Sequence, residues 1–255
     1  MSDLRDTLWQ LTRTLGDPAR DLVVIGEGNT SARVDDETFL IKASGQQMQT
    51  MEPRGLVQVR FAPILAMLES DAPPTLDEQK AIARAAKVDP TAPDPSIEVS
   101  FHALLLAECG ASFIGHTHPT PVVSILCSPR ARDFAERRTF PDEAVLCGAR
   151  SAYVPYADPG LPLAHAIRQA VRAFRDAEGV WPRVILLENH GLIALGSSPQ
   201  EVLNITTMAV KGARVFLSAA ALGGPVFLSS AEVRHIVGRP DEIYRRDQFV
   251  QSNRS

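Results

Sequence analysis

Cysteine is scarce in this chain: it occurs three times, at Cys109, Cys127 and Cys147. An odd number at those spacings builds neither a disulfide framework nor a Cys-x-x-Cys metal knuckle. A reducing, cytoplasmic compartment is the simplest expectation. Long apolar runs are missing as well, since no stretch approaches the roughly 20 apolar residues of a membrane span. The opening Met1-Ser2-Asp3-Leu4-Arg5-Asp6 carries acids and no apolar centre, so no export signal is expected. Positive charge is not in excess either. A net charge of -4 at pH 7 gives no electrostatic basis for binding nucleic acid or an anionic membrane. Internal repeats and low-complexity tracts are absent. Two nucleotide signatures are lacking too. No Gly-Lys-Ser/Thr follows the early glycines as a Walker loop requires. Gly26 and Gly28 also lack the third glycine and following helix of a dinucleotide fingerprint.

What is present is an ordinary globular composition, 45% hydrophobic and 22% charged over 255 residues. That length buries a sizeable core without staples. One domain spanning residues 1–255 is expected, with a polar, loose tail from about residue 240. Leu4, Leu8, Leu11 and Leu15 recur at helical spacing. Short strands are expected over 23–25, 38–42 and 57–61, and helices over 63–69 and 76–88. Three prolines make 89–95 a stiff loop. A helix then opens at Pro95-Ser96 and runs over 99–109. Strands are expected over 143–146, 151–154 and 192–196, and a helix over 163–176. Ser198-Pro199 starts a long helix to about residue 221, and Ser229-Ser230-Ala231-Glu232 opens another. This mixture implies an α/β fold around one central sheet.

The chemistry gathers at Gly115-His116-Thr117-His118-Pro119, at the end of an apolar, strand-like run. Residues two apart on a strand point the same way, so His116 and His118 present both imidazoles to one side. Pro119 ends the strand, where a site can open. A second apolar run, 184–187, leads to Glu188-Asn189-His190-Gly191. Two strands that each deliver histidine at their ends can converge on one ion. Three neutral imidazoles with an open position form the ligand set of a catalytic zinc. Upstream, Gly28-Asn29-Thr30-Ser31 and Ala43-Ser44-Gly45 read either as tight turns or as an anion cradle of backbone N–H groups and short polar side chains, with charge from Lys42 or Arg33. Glu98 and His102 lie four apart and share a helical face. Taken alone, Glu98 suits a helix start and His102 suits a satisfied position in the core.

Taken together and in order, Gly28-Asn29-Thr30-Ser31, Lys42-Ala43-Ser44-Gly45, Pro95-Ser96-Ile97-Glu98, His116-Thr117-His118-Pro119 and Asn189-His190-Gly191-Leu192 resemble the class II aldolase/adducin family over roughly residues 5 to 222. That family includes fuculose- and rhamnulose-phosphate aldolases and ribulose-phosphate epimerase. The resemblance implies a three-layer α/β/α sandwich with one central, mainly antiparallel sheet, assembled as a homotetramer. It also implies that His116, His118 and His190 hold Zn2+ or another divalent ion such as Mn2+ or Co2+. It makes Glu98 the acid/base, and Asn29, Ser44, Gly45 and Ser96 the substrate phosphate site. The expected activity is that of a lyase in carbohydrate metabolism. It would cleave a C–C bond of a small sugar phosphate or hydroxy-keto compound by a retro-aldol reaction, through a metal-stabilised enediolate. Decarboxylation or epimerisation in the same fold, and a non-catalytic adducin-like assembly module, are the alternatives. An assembly module has no physical need for the three histidines and Glu98. Two departures bear on the substrate. Ile97 stands where many phosphate-using members carry a second serine. No tyrosine precedes Gly148 to act as proton donor, leaving Tyr244 as a weak substitute.

Overall fold

The structure is a computed structural model that describes residues 2–70 and 72–251. Helix α1 (Ser2–Leu15) turns Leu8, Leu11 and Leu15 inward, as the leucine spacing requires. Three strands follow, β1 (Asn29–Arg33), β2 (Thr38–Lys42) and β3 (Leu56–Arg60). Helix α2 (Phe61–Leu68) continues directly from β3. Helix α3 (Leu76–Ala85) opens with a reciprocal capping box, in which Thr75 and Glu78 each bond the other's backbone N–H. Helix α4 (Val99–Glu108) is apolar along most of its length and is buried accordingly. Next come β4 (Phe113–Thr117), α5 (Thr120–Leu126), α6 (Ala131–Glu136), α7 (Pro141–Cys147), β5 (Ala152–Val154), α8 (Leu161–Glu178), β6 (Val184–Leu187) and β7 (Gly191–Gly196). Helix α9 (Pro199–Ala221) is capped by Ser198 and has Pro199 in its first turn. Helices α10 (Ser230–Val237) and α11 (Pro240–Gln251) close the chain.

The seven strands form one sheet in the order β3-β2-β1-β4-β7-β6-β5, and every pairing except β5 with β6 is antiparallel. Both faces are apolar because each is covered. Phe39, Ile41, Val57, Ile114, Ile193 and Ile185 point to the side of α2, α4 and α8. Leu40, Phe113, Leu192, Ala194 and Val184 point to the side of α1, α5, α6 and α9. The result is the expected three-layer sandwich. Among the described residues no helix is long and apolar enough to cross a membrane.

Three local expectations need correction. Residues 23–25 are a tight turn, not a strand: the Glu27 side chain accepts from Val24 N–H, the Glu27 backbone N–H donates back to the Val24 carbonyl, and Ile25 sits at φ 55°. The first strand instead begins at Asn29, so the Gly28-Asn29-Thr30-Ser31 motif runs along a sheet strand. Residues 143–146 lie in α7. Pro141 starts that helix, and the Glu143 carboxylate caps its entrance by accepting from the backbone N–H and hydroxyl of Thr139 at 2.9 and 3.0 Å. The tail beyond residue 240 is the helix α11, packed on α7 and α9, up to residue 251.

Candidate active site

Sheet register brings the polar residues together. Asn29 in β1 lies directly opposite His116 in β4, and Ser31 lies opposite Ile114. Asn29, Ser31 and His116 therefore share the sheet face that α4 covers. His118 follows one alternation after His116, just past the strand end, where its backbone N–H donates to the Leu22 carbonyl at 2.8 Å. His190 arrives from the hairpin between β6 and β7, where Leu187 pairs with Gly191. That hairpin needs a left-handed residue, and Asn189 supplies it at φ 54°. Gly191 must be bare, since a Cβ there would stand 2.6 Å from the Thr117 carbonyl oxygen and 2.8 Å from the His118 ring.

The three imidazoles converge. Their ring centroids lie 4.7, 5.0 and 4.8 Å apart, and one nitrogen from each falls within 4.8 Å of the others. Zinc–nitrogen bonds of about 2.0–2.1 Å in a tetrahedron separate ligand nitrogens by roughly 3.4 Å; the 3.0 Å between the Nε2 atoms of His116 and His118 is close to that. His116 donates from Nδ1 to the Leu192 carbonyl at 2.9 Å, which leaves the Nε2 lone pair facing its neighbours. Burial, then the neighbouring imidazoles, pushes His116 down to about 3 and His118 down to about 2. Burial lowers His190 as well, against the attraction of Glu98. All three rings are therefore neutral at neutral pH, the form that ligates. The donor set, its closeness and its protonation state fit a divalent ion of the zinc type.

Glu98 is the N-cap residue of α4, yet it is buried rather than projecting into solvent. Its Oε2 is 3.5 Å from His116 Nε2, and its Oε1 is 3.5 Å from His190 Nε2. Burial raises its pKa above the usual carboxylate value, while His190, a hydrogen bond from Asn29 and the Lys42 charge hold the rise back. A carboxyl set this way can hold or release a proton beside the three imidazoles.

The expected anion residues lie around Glu98 in part. Asn29 Nδ2 donates to Ser96 Oγ at 3.2 Å, and the Ser96 hydroxyl also accepts from the Glu98 backbone N–H at 3.3 Å. Ser44 joins the same region, because its N–H donates to the Asp94 carbonyl and the Ser96 N–H donates to the Lys42 carbonyl. Ser44, Ser96 and Ile97 line a cleft of about 340 Å³. Gly45 sits at φ 72° with open space where a side chain would go, and it is not in that lining. The two cations expected to add charge are committed elsewhere. The Lys42 ammonium donates to the carbonyls of Gln46 and Ala43 at 2.6 and 3.3 Å, and burial brings its pKa down to about 8. Arg33 stands at the far end of β1 and pairs with Asp36 at 2.9 Å. Tyr244 is exposed on α11 and makes no hydrogen bond or ring contact to these residues among those described.

One expectation taken from the residues alone is met, that of His102 as a satisfied core histidine. His102 and Ser31 lie behind Asn29, both fully buried and joined by a 2.7 Å hydrogen bond. The four-residue spacing of Glu98 and His102, and the two-residue spacing of Asn29 and Ser31, were the available signals for that contact.

Comparison with known proteins gives a consistent picture. Residues 7–217 match the family described as Class II Aldolase and Adducin N-terminal domain. The chain is 26% identical over 201 residues to the "Uncharacterized oxidoreductase YuxG" of Bacillus subtilis (strain 168). The match covers 76% of this chain but spans about a quarter (27%) of that longer protein. Among solved structures, the N-terminal class II aldolase domain of a conserved protein from Thermoplasma acidophilum superposes with a TM-score of 0.66 at 27% identity, covering 83% of this chain and 92% of the other. An L-fuculose 1-phosphate aldolase superposes with a TM-score of 0.72 at 20% identity, covering 93% of this chain and 95% of the other, a likeness of fold.

Proposed function

The chain belongs to the class II aldolase and adducin family, and from that premise we propose that it is a metal-dependent lyase cleaving a C–C bond of a small sugar phosphate or hydroxy-keto compound. The observation that carries this reading is the buried Glu98 carboxyl, 3.5 Å from two of three clustered, neutral imidazoles. In this reading His116, His118 and His190 hold the ion, zinc being the best match to three nitrogen donors with a position left open. When bound, such an ion supplies Lewis acidity toward adjacent carbonyl and hydroxyl oxygens of the substrate.

The chain's own residues then do the rest. Glu98 carries the proton. When the bond between the carbonyl-bearing fragment and its hydroxyl-bearing neighbour breaks, the electron pair stays on the carbon beside the carbonyl, and Glu98 returns a proton to that carbon. The hydroxyl of the departing fragment gives its proton to Glu98 as it becomes the aldehyde oxygen, and that is the proton Glu98 returns to carbon, which closes the balance. Burial of Glu98 keeps its proton affinity suited to both directions of that transfer. Ser44, Gly45 and Ser96 form the anion-facing side of the substrate site, using short neutral donors, and Asn29 supports that side through its amide bonds to Ser96 and Glu98. Ile97, 45% exposed in the same cleft, offers an apolar surface where a further hydroxyl donor would favour phosphate. The lyase acts as a homotetramer in this proposal.

The test is a metal analysis of the purified chain, followed by a screen of sugar phosphates and free hydroxy-keto acids with aldehyde detection. Glu98→Gln keeps the shape and removes the ionisable group, so turnover should fall by about 10²–10⁴-fold while bound metal and oligomer persist. Release of CO2 without aldehyde would redirect the assignment to a decarboxylase. Metal bound with no turnover on any of these substrates would point to an assembly module.

A further inference from the structure

We propose that His102 is a positioning residue for this site: as the Nε2–H tautomer it holds the Asn29 amide in one orientation, and so decides which oxygen of Glu98 is tied and which is free to carry the proton. The inference rests on the reading of Glu98 as proton carrier. It is built on a chain of four buried groups, Ser31, His102, Asn29 and Glu98, running from strand β1 through helix α4 and back.

The directions of the hydrogen bonds are set by what each atom can do. Glu98 Oε2, as a carboxylate oxygen, only accepts, and its partner at 2.6 Å is the Asn29 side-chain amide. Asn29 must therefore turn its NH2 toward Glu98, where the same group also reaches Ser96 Oγ at 3.2 Å. Its carbonyl Oδ1 then faces His102 Nε2, with which it is hydrogen bonded. A carbonyl only accepts, so Nε2 must carry the proton. Nδ1 is left with a lone pair, and the Ser31 hydroxyl, 2.7 Å away, donates to it. Every donor in the chain meets an acceptor in this direction. With the other tautomer, a bare Nε2 would draw the Asn29 NH2 toward itself. That would aim the Asn29 carbonyl at the Glu98 carboxylate, two acceptors facing each other in a buried site.

The consequence for chemistry lies in the two oxygens of Glu98. Oε2 is held by Asn29, whereas Oε1 faces His190 Nε2 at 3.5 Å and accepts no hydrogen bond among the described residues. Oε1 is thus the atom from which a proton leaves. A histidine that was merely satisfied in the core would not need Asn29 as its partner. Among the described residues, that partner is the one whose side chain hydrogen-bonds the Glu98 carboxylate.

The full chain labelled with ¹⁵N-histidine tests this directly. Long-range ¹H–¹⁵N correlation at neutral pH should show one ring with protonated Nε2 and a lone pair on Nδ1, and that ring's signals should vanish in His102→Gln. A protonated Nδ1 on that ring, or a fully protonated ring, overturns the proposal. Two variants extend the test. His102→Gln places an amide N–H close to the position of Nε2–H, and His102→Leu places none. With a substrate turned over by the wild type, His102→Leu should lose about 10–100-fold in kcat with KM little changed, and His102→Gln should keep most of the activity. Equal activities, or equal losses with matched falls in melting temperature, overturn it. If the wild type turns over nothing, the proposed function fails, while the tautomer spectrum still decides the orientation of Asn29.

Discussion

Acid should unfold the metal-free protein through the same histidines that make the site. The perturbation is a drop from pH 7.5 to pH 5 in the presence of a chelator. His102 and His116 are both fully buried, and burial holds each far below its ordinary 6.5, His116 at about 3. In the unfolded chain both take up a proton as the pH falls through 6.5, whereas in the folded chain neither does. Stability from these groups is thus complete above 6.5 and is lost progressively as the pH falls toward their folded values. At pH 5 the unfolded form of each has gained about 2 kcal/mol, from one and a half pKa units at about 1.36 kcal/mol per unit. These two groups alone therefore remove about 4 kcal/mol, a large share of an ordinary 5–15 kcal/mol, and the lowered His118 and His190 add to the loss in the same direction. Glu98 works in the opposite direction. Its raised value means that the folded chain binds a proton before the unfolded chain does, so its contribution grows as the pH falls. The measurement is therefore made on Glu98→Gln, which removes that opposing group. Urea unfolding followed by circular dichroism at both pH values gives the two stabilities at matched slope. The choice of pH 5 stays above the range where the lowered surface carboxylates titrate. A loss smaller than about 1 kcal/mol, or a gain, would refute the claim that these imidazoles are buried and neutral.

Three more outcomes follow from the geometry. One divalent ion per chain is expected by elemental analysis; His116→Ala, His118→Ala and His190→Ala should each abolish it, and His165→Ala and His235→Ala should leave it. Full occupancy in any of the first three would break the ligand assignment. Gly191→Ala forces a Cβ to within 2.8 Å of the His118 ring, so metal affinity should fall by about tenfold or more, with about 1–3 kcal/mol of stability lost to overpacking. Isothermal titration with zinc reads the first effect and thermal unfolding the second; wild-type values in both would mean that the hairpin and β4 are not packed as described. Arg138 is fully buried and donates to the carbonyls of Gly148 and Arg137 and to the Ser151 hydroxyl at 2.9–3.0 Å. Arg138→Met strands those acceptors, and chemical denaturation should show a loss of about 3 kcal/mol or more.

How much of this was legible beforehand differs from residue to residue. Periodicity located α1 and α8, because a stripe of apolar residues at helical spacing must face a core wherever that core is, and Ser198-Pro199 marked the start of α9. The ordered motifs marked the fold and nominated the histidines through their resemblance to a family, and a proline after His-x-His suited a strand end. Residues 143–146 defeated the same reasoning: a short apolar run has no period long enough to separate strand from helix, and the Glu143 side chain decided for α7 through contacts with Thr139. Residues 23–25 were misread for a related reason, as the turn made by Glu27 outweighed the β propensity of two valines and an isoleucine.

The sequence by itself determined which residues are able to do chemistry, because side-chain type sets donor, charge and ligating ability before any folding. Only the tertiary structure decided what those residues are to one another. Asn29 and His116 are far apart in the chain, and antiparallel register makes them neighbours across two strands. Burial turns Glu98 from a helix-start acid into a carboxyl of raised proton affinity, and it keeps three clustered histidines neutral. It also makes His102 the link between Ser31 and Asn29 in a hydrogen-bonded chain that reaches Glu98. Register and desolvation arise from the whole packed sheet and its covering helices, and no local run of residues contains them.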